Sequence, residues 1–186
     1  DLSYKLTLSP YSVKHHKRWY QIFTHGFIHA DYMHLGLNMY VLYSFGGVVE
    51  GVLVEGYPSS EGIIGGFGNI GYLYYITLYV GGLLFATLPS LKKHGDNPNY
   101  LAVGASGAVY GLLLAFGMLF PNSIIYLYMA IPIKTKYFVA GIGILSIISG
   151  ISNNPGDNVA HFAHLGGMIF GIILLKYWKK KGEIWF

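Results

Sequence analysis

Between residues 26 and 177 the chain reads as five apolar stretches joined by short polar loops, and those stretches hold only two formally charged side chains, Asp31 and Lys176. They cover about residues 26–49, 67–88, 101–120, 137–151 and 158–177. A helix needs about 20 apolar residues to cross a hydrocarbon core about 30 Å thick. Four stretches reach that length. The fourth is marginal and needs Lys134 and Lys136 to snorkel toward the interface. Composition agrees, with 53% apolar and 11% charged residues, against about 25% charged in a soluble domain. A chain of 186 residues cannot hide that much apolar surface in one core. The expectation is an all-α, polytopic membrane bundle of five spans, with the lipid bilayer as its solvent. Residues 1–186 form a single membrane domain, in which 1–18 is an external loop segment.

Turn residues punctuate the pattern. Pro58 marks an acidic loop carrying Glu50, Glu55 and Glu61, and Pro89 with Lys92 and Lys93 closes the second span. Pro121 closes the third, Pro132 breaks the apolar segment 122–136, and Ser152-Asn-Asn-Pro-Gly-Asp157 ends the fourth. Cysteine is absent, which excludes a disulfide framework, a thiolate metal site and a cysteine nucleophile. The net charge of +4 belongs to flanking loops. No basic run is interleaved with aromatics in a polar domain, so no nucleic acid partner is expected. The 26 glycines follow no repeat period and predict close helix packing. Lys and Arg in the loops divide six and six between the two sides. The last span decides the orientation, because four lysines lie at or beyond its end and none lies in the loop before it. The C-terminus is therefore placed in the cytoplasm and residue 1 outside.

Polar groups inside a membrane are costly and point to function. Three clusters stand out: His25, His29, His34 and Asn38; then Gly104-Ala-Ser106-Gly107; then His161 and His164. Each opens a span from the same side, so one pocket at the outer face can hold them all. A serine hydroxyl needs a base to become a nucleophile, and a neutral imidazole is the usual base near pH 7. Gly107/Gly111 and Gly167/Gly171 form small-residue faces that would bring the third and fifth helices backbone to backbone. Ser106 then comes within reach of a histidine on the fifth. On spacing alone, either His161 or His164 can be the base. Asn38 and His34, one turn apart, can donate to an oxyanion together with the Ser106 N–H.

Plainer readings stand beside these. Gly104, Ser106 and Gly107 fit simple helix packing. His25 and His29 fit a metal by spacing, but a hydrogen-bond network is favoured, since no carboxylate or fourth ligand accompanies them. Tyr110 is either a packing aromatic or a partner stacked beside the base. Glu50 reads as a structural cap, and Lys179–Lys181 as a topology anchor.

Taken together the clusters resemble the rhomboid family of intramembrane serine proteases. The resemblance rests on His25-Gly-Phe-Ile-His29-Ala-Asp-Tyr-Met-His34-Leu-Gly-Leu-Asn38, Gly104-Ala-Ser106-Gly107-Ala-Val-Tyr110-Gly and Ala163-His164-Leu-Gly-Gly167-Met-Ile-Phe-Gly171, in that order. It covers residues 19–177. It implies a Ser–His dyad without a third acid, with Ser106 as nucleophile and His164, rather than His161, as base. It implies that His34 and Asn38 stabilise the oxyanion and that Tyr110 stacks near the base. His29, Gly104 and Gly107 are read as supporting residues, and His161, one turn above the base, departs from the family pattern and is read as tuning the base or binding water. The resemblance further implies transmembrane protein substrates cut near their outer ends, no cofactor and no metal. The short fourth helix and the Asp157 loop match a region that moves for substrate entry. The expected setting is a prokaryotic plasma membrane with the active site toward the outer face. The family core has six spans, and no span precedes residue 19 here, so the first family helix is expected to be missing from this chain.

Two rivals predict different behaviour. A catalytically inactive rhomboid-like protein would bind membrane clients without cutting them, but such proteins typically lack the serine or the histidine. A transporter or metal-binding membrane protein built on the histidines would keep its function in Ser106→Ala. A zinc intramembrane protease is set aside, because no H-E-x-x-H occurs.

Overall fold

A computed structural model describes residues 2–59, 62–127, 130–152 and 160–181. Glu61 and the expected turn at 153–157, with Asp157, lie outside them. The chain opens with three short helices, α1 (Leu2–Leu6), α2 (Pro10–His16) and α3 (Gln21–Thr24), and a 3-10 turn at His25–Phe27. Next come α4 (Tyr32–Val41) and α5 (Gly47–Val54), fused through a π-helical turn at Leu42–Gly46 into one 23-residue span, Tyr32–Val54. After a small antiparallel hairpin, β1 (Tyr57–Ser59) with β2 (Gly62–Ile64), come α6 (Asn69–His94) and α7 (Ser106–Leu119). A second hairpin, β3 (Ile124–Leu127) with β4 (Ile131–Lys134), leads to α8 (Thr135–Ser152) and α9 (His161–Lys180).

The helical bundle is as expected, with corrections. It is mostly rather than wholly helical, because the loop around Pro58 and the segment around Pro132 each fold into a two-stranded hairpin. Among the described residues three helices, not five, are long and apolar enough to cross a membrane: Tyr32–Val54, Asn69–His94 and Thr135–Ser152. The other two fall short for different reasons. α7 has only 14 residues, and α9 has 20 but is diluted by His161, His164 and Lys176. The first span starts at Tyr32 rather than near residue 26, because Asp31 caps it: its carboxylate accepts from the His34 N–H at 2.7 Å. Pro89 does not end the second span. It sits inside α6, where proline removes one backbone hydrogen bond and the helix runs on to His94. The N-terminal segment is more than a loop. Ser9 caps α2, with Pro10 in its first turn, and Leu8 pairs with Ala102 through two backbone hydrogen bonds of 3.0 and 2.9 Å.

α7 is the central helix, buried at Gly107, Ala108, Val109, Gly111, Leu112 and beyond. Its partners approach at backbone distance. A β-carbon on Gly167 would collide with the Gly107 carbonyl oxygen, one on Gly111 would lie 3.0 Å from the Gly167 oxygen, and one on Gly171 would lie 3.1 Å from the Gly111 oxygen. The glycine faces of α7 and α9 therefore meet as their spacing predicts. Ala86 of α6 closes the same junction, against Gly107 and Gly166. Beneath it Leu78, Val49, Leu53, Leu112, Leu175 and Trp178 form the apolar core at the α9 C-terminal end. Large apolar side chains on the outside, such as Tyr43, Leu145 and Ile148, face where lipid lies in a membrane.

Candidate active site

The 14 residues of α7 rise about 21 Å at 1.5 Å each, short of a core about 30 Å thick. Ser106 is the first residue of that helix. The loop before it is held from several directions. Ala102 pairs with Leu8, and the Gly104 N–H donates to the His25 carbonyl at 3.0 Å. Tyr100 is stacked on His94, with ring centroids 3.7 Å apart, and its hydroxyl lies 3.1 Å from that of Ser90. Gly104 is required twice over. Its φ of +106° suits glycine, and a β-carbon there would press on the His34 ring, 2.6 Å from Cε1.

Ser106 Oγ lies 2.8 Å from His164 Nε2. His164 stands in the first turn of α9, brought over Ser106 by the contact of Gly107, the next residue of α7, with Gly167, about one turn further along α9. The Tyr110 ring stacks on it, centroids 4.1 Å apart and nearly parallel at 9°. The other ring nitrogen, Nδ1, is buried and has no hydrogen-bond partner among the described residues. Among the described residues no carboxylate orients the imidazole from behind, and the stack and the helix junction hold it. His161 lies edge-on to His164, 6.1 Å away. The 2.8 Å contact to Ser106 belongs to His164.

Asn38 is buried, and its Nδ2 donates to the His34 carbonyl at 3.0 Å. One amide hydrogen is thereby used and the other is left for a further acceptor. The His34 ring rests against Gly104, two residues from Ser106. His29 packs edge-on to His34 at 5.1 Å, from the connector before α4 rather than from a helix. His25 does not join it. Its Nδ1 faces the Gln21 carbonyl at 3.0 Å, and burial pushes the imidazole below its ordinary pKa. The expected hydrogen-bond network thus holds for His25 and not for His29, whose Nε2 is buried with no partner among the described residues. The first turn of α7 adds N–H groups with no intrahelical acceptor and the positive end of the helix dipole, both aimed at the space above Ser106.

Sequence reasoning missed three supports. Asp31 fixes where α4 begins, and Asp-x-x-His34 before an apolar run was a readable cap signal. Gln21 ties the N-terminal segment together, its Oε1 accepting from the Ser9 N–H at 3.3 Å and its Nε2 donating to the Lys5 carbonyl at 3.1 Å. The Leu8–Ala102 pairing joins residues too far apart in sequence to leave a local signal.

The fold and this cluster define a multi-pass membrane protein with a serine–histidine pair at the start of two packed helices. The chain belongs to the rhomboid family, whose Rhomboid domain model matches residues 16–180. It is similar to Rhomboid protein 1, mitochondrial, of Saccharomyces cerevisiae, with 29% identity over 84% of this chain and 41% of that protein. It is similar to Rhomboid-like protein 11, chloroplastic, of Arabidopsis thaliana, with 32% identity over 84% of this chain and 51% of that protein. A shorter match, 35% identical over 55% of this chain and 11% of the relative, is to Rhomboid-like protease 5 of Toxoplasma gondii. The chain spans about half or less of these relatives. The family includes intramembrane proteases and inactive members. The mitochondrial and chloroplastic names give no support to the prokaryotic plasma membrane expected from sequence, and the assignment stands at an integral, multi-pass membrane protein.

Proposed function

We propose that this chain is an intramembrane serine endopeptidase that cleaves transmembrane helices near their outer ends. The observation that carries the reading is the 2.8 Å contact between Ser106 Oγ and His164 Nε2. Nε2 takes the hydroxyl proton as Oγ attacks the scissile carbonyl. The new oxyanion is received by the free Asn38 amide hydrogen, the His34 ring and the Ser106 N–H. The His164 imidazolium then returns its proton to the leaving amine. A water admitted from the outer face, activated by the same Nε2, attacks the acyl-enzyme and releases the new carboxylate. Tyr110 keeps the imidazole plane aligned in both halves. The site faces the outer side, and the lysines ending α9 mark the cytoplasmic side.

The test is labelling by a fluorophosphonate in detergent micelles. Wild type and His161→Ala should label, while Ser106→Ala and His164→Ala should not. Equal labelling of Ser106→Ala would overturn the assignment, and no labelling of well-folded wild type would favour a client-binding protein.

A further inference from the structure

A groove of about 490 Å³ runs between α8 and the pair α7/α9, with an almost wholly apolar lining. It is separate from the Ser106 cluster. Its walls include Ala140, Ile144 and Ile147 of α8, Met118 of α7 and Ile169 of α9, and Lys136 stands at one end. Phe138 and Ile142 of α8 pack in one apolar cluster with Val41 and Phe45 of the first span and with Leu114, Val139 and Met168, which also line the groove. Ala140, Ile144 and Ile147 of α8 and Ile169 of α9 are exposed and form its open rim.

Two features identify an occupant. The first is length. From Lys136 to Ile147 is 11 residues of α8, about 16 Å at 1.5 Å per residue, which is the depth of one leaflet of a core about 30 Å thick. The second is charge at the correct end. Lys136 is exposed, its Nζ donates to Asn122 Oδ1 at 3.0 Å, and it lies 5.3 Å from the Tyr137 ring. Lys134 is exposed beside it on β4. Among the described residues no acidic side chain lines the groove. The Asn122 amide N–H groups, whose oxygen Lys136 already holds, remain as donors at the same corner. A cationic corner at the interface above an apolar slot one leaflet deep matches a phosphate and its acyl chain.

We propose that this groove binds one anionic glycerophospholipid from the leaflet on the α9 C-terminal side. Its phosphate rests on Lys136 and Asn122, and one acyl chain fills the slot between α8 and α9. The site does not depend on the catalytic reading. The occupant braces α8, whose described buried positions are confined to Thr135, Val139, Gly143 and Ser146.

The test is native mass spectrometry of the full 186-residue chain released from mixed micelles of dioleoyl phosphatidylglycerol and dioleoyl phosphatidylcholine. Wild type should retain one phosphatidylglycerol in preference to phosphatidylcholine by about fivefold or more, as expected for one lysine near an anionic headgroup. Lys136→Glu should lose that preference yet still bind phosphatidylcholine, and Ala140→Trp, which fills the slot, should retain neither lipid. Equal retention of the two lipids by wild type overturns the proposal without reference to any variant. So does phosphatidylglycerol retention that survives both substitutions, each shown by circular dichroism to keep its helices.

Discussion

The carbonyl oxygen of Gly107 occupies the space that a β-carbon on Gly167 would need. This contact sets the distance between α7 and α9, and Ser106 and His164 lie directly above it, one on each helix. The position of this hydrogen-bonded pair is thus a consequence of helix packing and not of a local loop.

Gly167→Ala should therefore damage both stability and chemistry. Overpacking of a close junction costs about 1–3 kcal/mol, so the melting temperature in detergent should fall. Fluorophosphonate labelling of the fraction that remains folded should slow, because the helices are forced apart at the site. Gly141→Ala, where a β-carbon meets nothing within 4 Å, is the control and should melt like wild type.

Asn38→Ala should act on the transition state. Loss of one oxyanion donor costs about 10²–10³ in kcat, with KM for a membrane substrate little changed. Steady-state kinetics in proteoliposomes separates the two parameters. A rise in KM at constant kcat would show that Asn38 binds substrate instead.

Tyr110→Phe and Tyr110→Ala should differ. Phe preserves the parallel stack on His164, whereas Ala removes it along with about 0.5–1.5 kcal/mol of aromatic contact. Among the described residues Nδ1 has no hydrogen-bond partner that would replace the stack. Labelling should slow by about threefold to tenfold in Tyr110→Ala and stay near wild type in Tyr110→Phe. Equal rates in the two variants would contradict the positioning role.

Outside the membrane, the Lys14 ammonium and then the His15 ring, both hydrogen-bonded to Asp96, hold its carboxyl below the ordinary value of 3.8. Lys14 belongs to α2 and Asp96 to the loop leading to Ser106. A depressed folded pKa means that the stabilisation is present above 3.8 and is lost as pH falls through the lower folded value. Wild type should therefore melt at a lower temperature as pH is taken below that range. Asp96→Asn should show a smaller dependence there, together with a small loss of stability near neutral pH.

Much of the site was legible because its residues break a rule. Ser106, His34, Asn38 and His164 are polar groups where lipid-facing helices tolerate few, and each opens an apolar stretch. The glycine faces were legible for a similar reason, since Gly107, Gly111, Gly167 and Gly171 recur at one-turn spacing. Spacing could not choose between His161 and His164, because residues three apart share a helix face. The structure separates them through the tertiary placement of Ser106. The hairpins around Pro58 and Pro132 were read only as interruptions, since short strands outside the bundle lack the length to set a periodicity. The overestimate at residues 101–105 has a physical cause as well. Leu101, Ala102 and Val103 are apolar, yet they serve a backbone pairing with Leu8 and a turn at Gly104 rather than a helix.

The most direct test of the central claim is cleavage of a transmembrane reporter helix co-reconstituted in proteoliposomes, with the products sized by mass spectrometry. The account predicts one cut near the outer end of the reporter in wild type, and none in Ser106→Ala or His164→Ala that keep the wild-type melting profile. Cleavage that persists in either variant, or a folded wild type that binds the reporter and leaves it whole, would contradict it.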